Sequence, residues 1–219
     1  MGDPRASFWK RNGLSLVLLA VFVVLIAGQV VAGHAALNEE RALNGQPALG
    51  LAAYLSSGHF ISATFENWES EFLQMGMYVL LTVWLRQAGS AESRPLDPAD
   101  EEEKIEPGPT PWPVKAGGWI KRLYAHSLAL AFGFLFLLSF ALHAIGRLAH
   151  ENEQALSLGL PPVGMAGHLG GARFWFESFQ NWQSEFLAVL AIVVLSIFLR
   201  QDKSPESKPL EAPHRQTGA

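Results

Sequence analysis

Two eight-residue stretches concentrate the side chains most able to do chemistry. Residues 65–72 read Phe-Glu-Asn-Trp-Glu-Ser-Glu-Phe, and residues 179–186 read Phe-Gln-Asn-Trp-Gln-Ser-Glu-Phe. On a helix Asn67, Ser70 and Glu71 fall at i, i+3 and i+4, on one face, and Asn181, Ser184 and Glu185 repeat the pattern. Glu71 and Glu185 are acidic in both stretches, whereas Glu69 is matched by Gln183. A structural reading makes Asn67 and Asn181 helix caps, sets the acids at the positive helix end, and uses Trp68, Trp182 and Trp84 as membrane-interface anchors. A functional reading turns Glu71 and Glu185 toward each other inside a membrane bundle. Acids there are costly and mark ion or proton routes, and two close carboxylates raise the pKa of one.

Histidines form the second group. His34, His59, His143, His150 and His168 gather near the ends of apolar segments, with Glu39, Glu40, Glu151 and Glu153 nearby. They are weak candidates for a metal or redox site, because no pair has the i, i+4 spacing of a zinc-protease helix. His143 and His150 share a face two turns apart. No cofactor is expected. There is no glycine-rich phosphate loop, nucleophile elbow or Ser/His/Asp order, so no enzyme activity is expected. The 219 residues include no cysteine, which excludes disulfides and thiolate chemistry. A net charge of -4 gives no nucleic-acid footprint.

The elements that must position these residues are apolar. Residues 12–38 and 123–146 carry neither a charge at neutral pH nor a proline. Each exceeds the roughly 20 residues that cross a hydrocarbon core of about 30 Å. In lipid each must be a helix, since every amide needs an internal partner. The first run resembles a signal peptide, with Lys10 and Arg11 ahead of it and small residues behind.

An internal repeat argues for a retained anchor instead. The Asn-Trp stretches lie 114 residues apart, and Leu85-Arg86-Gln87 matches Leu199-Arg200-Gln201 at the same offset. Upstream, Glu40, Ala42 and Leu43 match Glu153, Ala155 and Leu156 at 113. The second copy of the first helix lies mid-chain, where no signal peptide belongs.

The expected fold is all-α and integral to the membrane: four transmembrane helices forming two tandem, parallel two-helix repeats, with outer interfacial segments. The first hairpin repeat covers 1–97, with spans near 13–33 and 68–86. A disordered, proline-rich and acidic linker covers 98–123. The second repeat covers 124–211, with spans near 125–146 and 182–200, and 212–219 is a tail. The spans after the Asn-Trp motifs are less apolar. Residues 68–86 nevertheless reach about 28 Å at 1.5 Å per residue. Helical spacing of Ile61, Phe65, Trp68, Phe72 and Met75 suggests one long helix from about Gly58 to Arg86, with Ser57 as its N-cap; the alternative is a shorter helix capped by Asn67.

With four spans, the N-terminus, linker and tail share thirteen of the sixteen lysines and arginines. Only Arg41, Arg147 and Arg173 fall in the opposite loops. That bias places both termini in the cytoplasm of a multi-pass cell-membrane protein. Its partners are then the lipid bilayer and either a second copy or another membrane protein.

Asn12-Gly13-Leu14-Ser15-Leu16, Ser57-Gly58-His59-Phe60 and the stretch from Phe65 to Gln74 resemble a family of small bacterial membrane proteins known as a domain of unknown function. The resemblance covers both copies, although Ser-Gly-His is lost at Gly171 to Arg173. It implies a multi-pass, bacterial inner-membrane protein and brings no catalytic residues. The leading expectation is a non-enzymatic packing or interaction protein. The alternatives are a small ion- or proton-conducting unit using Glu71 and Glu185, and an outer-face metal or redox protein using the histidines.

Overall fold

The computed structural model describes residues 7–97, 99, 101 and 105–218. Arg5, Lys104 and most of the acidic run (Asp100, Glu102, Glu103) lie outside the described residues. The described chain is all-helical, without a strand. In order the helices are α1 (Phe8–Leu43), α2 (Leu51–Leu55), α3 (Gly58–Trp84), α4 (Trp112–Ala116), α5 (Gly118–Ala125), α6 (Ser127–Ser157), α7 (Met165–Leu169) and α8 (Ala172–Phe198).

Three of them, α1, α6 and α8, are long and apolar enough to cross a membrane. The second helix of the first half, α3, has the length, at 27 residues. Glu66, Glu69 and Glu71 keep its first half from being comparably apolar.

The long reading of α3 is the one observed. The helix starts at Gly58, and Ser57 Oγ accepts from Phe60 N at 3.2 Å, as an N-cap should. The capping reading of Asn67 and Asn181 therefore fails. Both lie deep inside α3 and α8, whose first residues are Gly58 and Ala172. Glu71 and Glu185 are too far from those starts to feel the positive helix end, an effect confined to the first turn.

The expectation of a disordered 98–123 linker also fails in its second half. Trp112-Pro113 places proline at the first turn of α4, where its missing amide costs nothing, and α5 follows.

The chain divides into two compact units. Met1–Thr64 and Ala144–Met165 form the first; Phe65–His143 and Ala166–Ala219 form the second. In the first unit, no residue of the most apolar stretch of α1 is buried. The end of α1 is better packed, because Gly33 leaves room for the hydroxyl of the buried Tyr54 of α2. Gln29 Nε2 donates to Thr64 Oγ1 at 3.1 Å. The start of α3 meets the end of α6 backbone to backbone: a Cβ on Gly58 would sit 2.5 Å from Gly146 O, and one on Gly146 would sit 2.6 Å from Ser62 N.

In the second unit α3, α6 and α8 converge on aromatic and polar side chains. Below their ends, 87–97 and 201–218 fold as hydrogen-bonded turns rather than extended tails. Lys208 is buried, and its ammonium donates to the carbonyls of Gly89, His214 (3.0 Å) and Gln216 (2.9 Å). Gly218 N donates to Ser90 O at 2.9 Å.

Local hydrogen bonds recur 114 residues apart. Asn38 clasps both backbone groups of Leu49, at 3.1 and 2.7 Å, and Asn152 clasps Val163 at 3.0 and 2.7 Å. Helices α1 and α6 end alike, on Gly45 and Gly159 with φ of 67° and 71°, the left-handed conformation that favours glycine in a Schellman cap. Arg86 Nη1 donates to the carbonyls of Thr82, Val83 and Leu85, and Arg200 Nη1 to those of Ser196, Ile197 and Leu199. Each arginine thus satisfies helix-end carbonyls that otherwise lack partners. The two clasps lie 114 positions apart, whereas Glu40 and Glu153 lie 113 apart.

Candidate functional site

The most deeply buried polar group of the second unit is built from three helices. Glu69 of α3 and His143 of α6 are both 0% exposed, and His143 Nδ1 lies 3.0 Å from Glu69 Oε2. Trp182 of α8 donates its indole N–H to the other oxygen, Glu69 Oε1, at 3.2 Å. One carboxylate thus joins all three helices. Its position inside an apolar bundle costs several kcal/mol unless donors surround it, and here two do.

Aromatic rings wall the group. Phe174 stacks on the His143 imidazole, with centroids 5.0 Å apart and planes 29° from parallel. Phe140 packs against Phe174, Trp175 and Trp182. His168 of α7 meets Phe174 edge-on at 5.0 Å. Asn181 Nδ2 donates to Glu66 Oε1 at 2.5 Å, adding a second bond between α8 and α3. Ser178 lies on α8 one turn from both Phe174 and Trp182. Its Oγ and the Nε2 of His143 are buried without a hydrogen-bond partner among the described residues.

The residues singled out by spacing occupy quieter places. Ser70 Oγ and Ser184 Oγ each donate back to their own helix, to Asn67 O at 2.7 Å and Asn181 O at 2.8 Å. Glu71 is exposed and Glu185 half-buried, and no hydrogen bond joins them. The charge of Glu71 nevertheless reaches Glu185. Trp84 is 72% exposed near the end of α3, while Trp182 faces inward onto Glu69. Trp68 is half-buried, against Phe65.

The five histidines divide between the units. His143 and His168 belong to the second. His34, in the first, sits 2.7 Å from Leu49 O. His59 and His150, also in the first, face each other with rings 5.2 Å apart. Among the described residues no three histidine or acidic side chains are grouped to share a metal.

The His59–His150 pair has a pH consequence. Burial lowers both pKa values, and Arg147 lowers them further, against Glu40 and, at His150, Glu153. The closeness of His59 also lowers His150. Tyr54 packs tilted against His59, with ring centroids 6.1 Å apart, and Gln154 reaches His150 at 3.2 Å. A base with a lowered folded pKa stabilises the fold above its unfolded value of about 6.5 and loses that contribution as pH falls. Amide exchange in residues 51–64 and 144–157, corrected for intrinsic rates, should therefore accelerate as pH drops below about 6.5. His59→Gln should flatten the dependence; an unchanged profile in that variant would assign the effect elsewhere.

Sequence reasoning missed the Glu69–His143 pair. Glu69 was set aside because its counterpart is a glutamine, and a partner on another helix leaves no trace in local spacing. The sequence does carry a cue: 114 positions from Glu69 and from His143 stand Gln183 and Gln29, so both titratable residues break the match between the two stretches.

The elements define an all-helical protein with three helices able to cross a membrane and an ionisable pair buried in its helical core. The chain belongs to the family described as a domain of unknown function, DUF6766, whose model matches residues 5–219. No curated protein and no solved structure matches it.

Proposed function

We propose that this is a multi-pass cell-membrane protein of two tandem two-helix hairpins, acting without enzymatic chemistry by packing with itself or a membrane partner. The observation that carries the packing role is α1, whose most apolar stretch has no buried residue. Leu14, Val24 and Val31 are each more than two-thirds exposed, which leaves a whole helix for lipid or another helix. The hydrogen bonds repeated at 114 support the tandem hairpins. They also support α3 as the fourth span, since its partner α8 has the same 27-residue length. The lysine and arginine bias supports cytoplasmic termini, and a bacterial inner membrane fits the family resemblance.

The absence of native cysteine makes the test simple. Single cysteines placed along α1 from Leu14 to Val31 are oxidised in native membranes. Cross-links recurring every three to four positions are expected, as one helix face meets a partner. Uniform absence of cross-links would remove the packing role.

A second reading, an ion- or proton-conducting unit at Glu71 and Glu185, draws support from the half-buried Glu185 within reach of Glu71's charge. Flux in liposomes that vanishes on Glu71→Gln or Glu185→Gln would favour it over packing.

A further inference from the structure

At the repeat offset, Gln29 and Thr64 correspond to His143 and Ser178, and Gln183 corresponds to Glu69. In the first unit Gln29 and Thr64 make an ordinary neutral bond at 3.1 Å. In the second unit the counterparts of Gln29 and Thr64 are an imidazole and a hydroxyl, and Glu69 carries a carboxylate where Gln183 carries an amide. Each titratable group thus stands at a position whose counterpart is an amide that cannot titrate.

The geometry assigns states to them. The indole N–H of Trp182 can only donate, so Glu69 accepts there. His143 Nδ1 faces the other carboxylate oxygen at 3.0 Å, which makes Nδ1 the protonated nitrogen and leaves the lone pair of the neutral ring on Nε2. Nε2 is buried and has no hydrogen-bond partner among the described residues.

We propose that Glu69 and His143 form a proton-binding site in the helical core. The proton comes from water and bonds to Nε2, converting imidazole to imidazolium; it leaves by the reverse step. Glu69 remains a carboxylate throughout, and no electrons move. Uptake turns a buried site of net charge minus one into a neutral ion pair, which a low-dielectric interior favours. The stacked Phe174 face adds attraction for the imidazolium. Beside the site, Glu66 accepts from Asn181 of α8, and Arg147 follows His143 by four residues along α6. His168 lies across Phe174, and Glu177 follows Phe174 by three residues on α8. Neither a second copy nor a partner is needed.

The test is nitrogen NMR of histidine-labelled, full-length protein in lipid nanodiscs, titrated from about pH 5 to about pH 9, the range in which histidine works as a switch. His143 is assigned by the signal lost in His143→Gln. It should begin as the Nδ1–H tautomer and gain a second proton on acidification. In Glu69→Gln its midpoint should fall by one unit or more, at least a tenfold loss in proton affinity, because an opposite charge at this distance is worth about 1–3 units. Glutamine already occupies both counterpart positions, and thermal unfolding confirms that each variant folds. A ring that stays in one neutral tautomer throughout, or a midpoint indifferent to Glu69→Gln, would overturn the proposal. Cross-linking through α1 is untouched by either result.

Discussion

Replacing Glu69 with leucine should destabilise the folded chain by about 2–4 kcal/mol, because two buried donors lose their acceptor and each unsatisfied group costs about 1–3 kcal/mol. The carboxylate is fully buried, and two donors on two other helices point at it. Leucine would leave His143 Nδ1 and Trp182 Nε1 desolvated with nothing to bond. Glu69→Gln should cost less, about 1–3 kcal/mol, because an amide oxygen still accepts one bond. Glu71→Gln, two residues away on the exposed side, should stay within about 0.5 kcal/mol. Denaturant unfolding in detergent, followed by tryptophan emission, orders the three variants. A leucine variant as stable as Glu71→Gln would show that the pair does not hold the helices together.

Two glycines of α6 should respond to alanine with opposite signs. Gly146→Ala puts a methyl group 2.6 Å from Ser62 N and 2.8 Å from Ile61 Cγ2. The first obstacle is backbone, which cannot rotate away, so the α3 and α6 segments of the first unit must separate. Overpacking of this kind costs about 1–3 kcal/mol, and Gly58→Ala, aimed at Gly146 O, should behave alike. Gly133 has nothing within 4 Å of its would-be Cβ. Gly133→Ala should therefore gain up to about 1 kcal/mol from helix propensity alone. Thermal unfolding of the pair provides an internal control, since the substitution is the same. Equal effects would mean that the close approach at Gly146 is not a stability determinant.

What could be read from the sequence was what periodicity and repetition encode. The apolar runs located α1 and α6, the second Asn-Trp stretch led to α8, and Ser57 marked the start of α3 because a cap is a local signal. The Asn-Trp stretches drew attention to the right turns of α3 and α8, yet to the wrong acid. Likeness between the two stretches points to Glu71 and Glu185, whereas burial selects Glu69, whose imidazole partner lies 74 positions along the chain. Distance in sequence hides such a contact, and its cue was an asymmetry. The turns after α3 and α8 escape a reading of composition for another reason. Composition correctly finds few apolar residues in 87–97 and 201–218, but these turns are held by serine hydroxyls, helix-end carbonyls and one buried lysine, which an apolar tally does not count.

That lysine gives the end of the chain an uncommon response to solvent. Most charge-based fastenings, such as the exposed Arg173–Glu177 pair, loosen as salt screens them. The Lys208 ammonium is gripped by neutral carbonyl oxygens, so there is no attraction between opposite charges to screen. The charge that acts on it, Arg200, repels it, and burial and that repulsion together lower its pKa. The folded form then sheds its proton before the unfolded chain does, and rising pH favours the folded form across that interval. The strong brine and alkaline carbonate used to strip loosely held proteins from membranes should therefore leave this tail fastened.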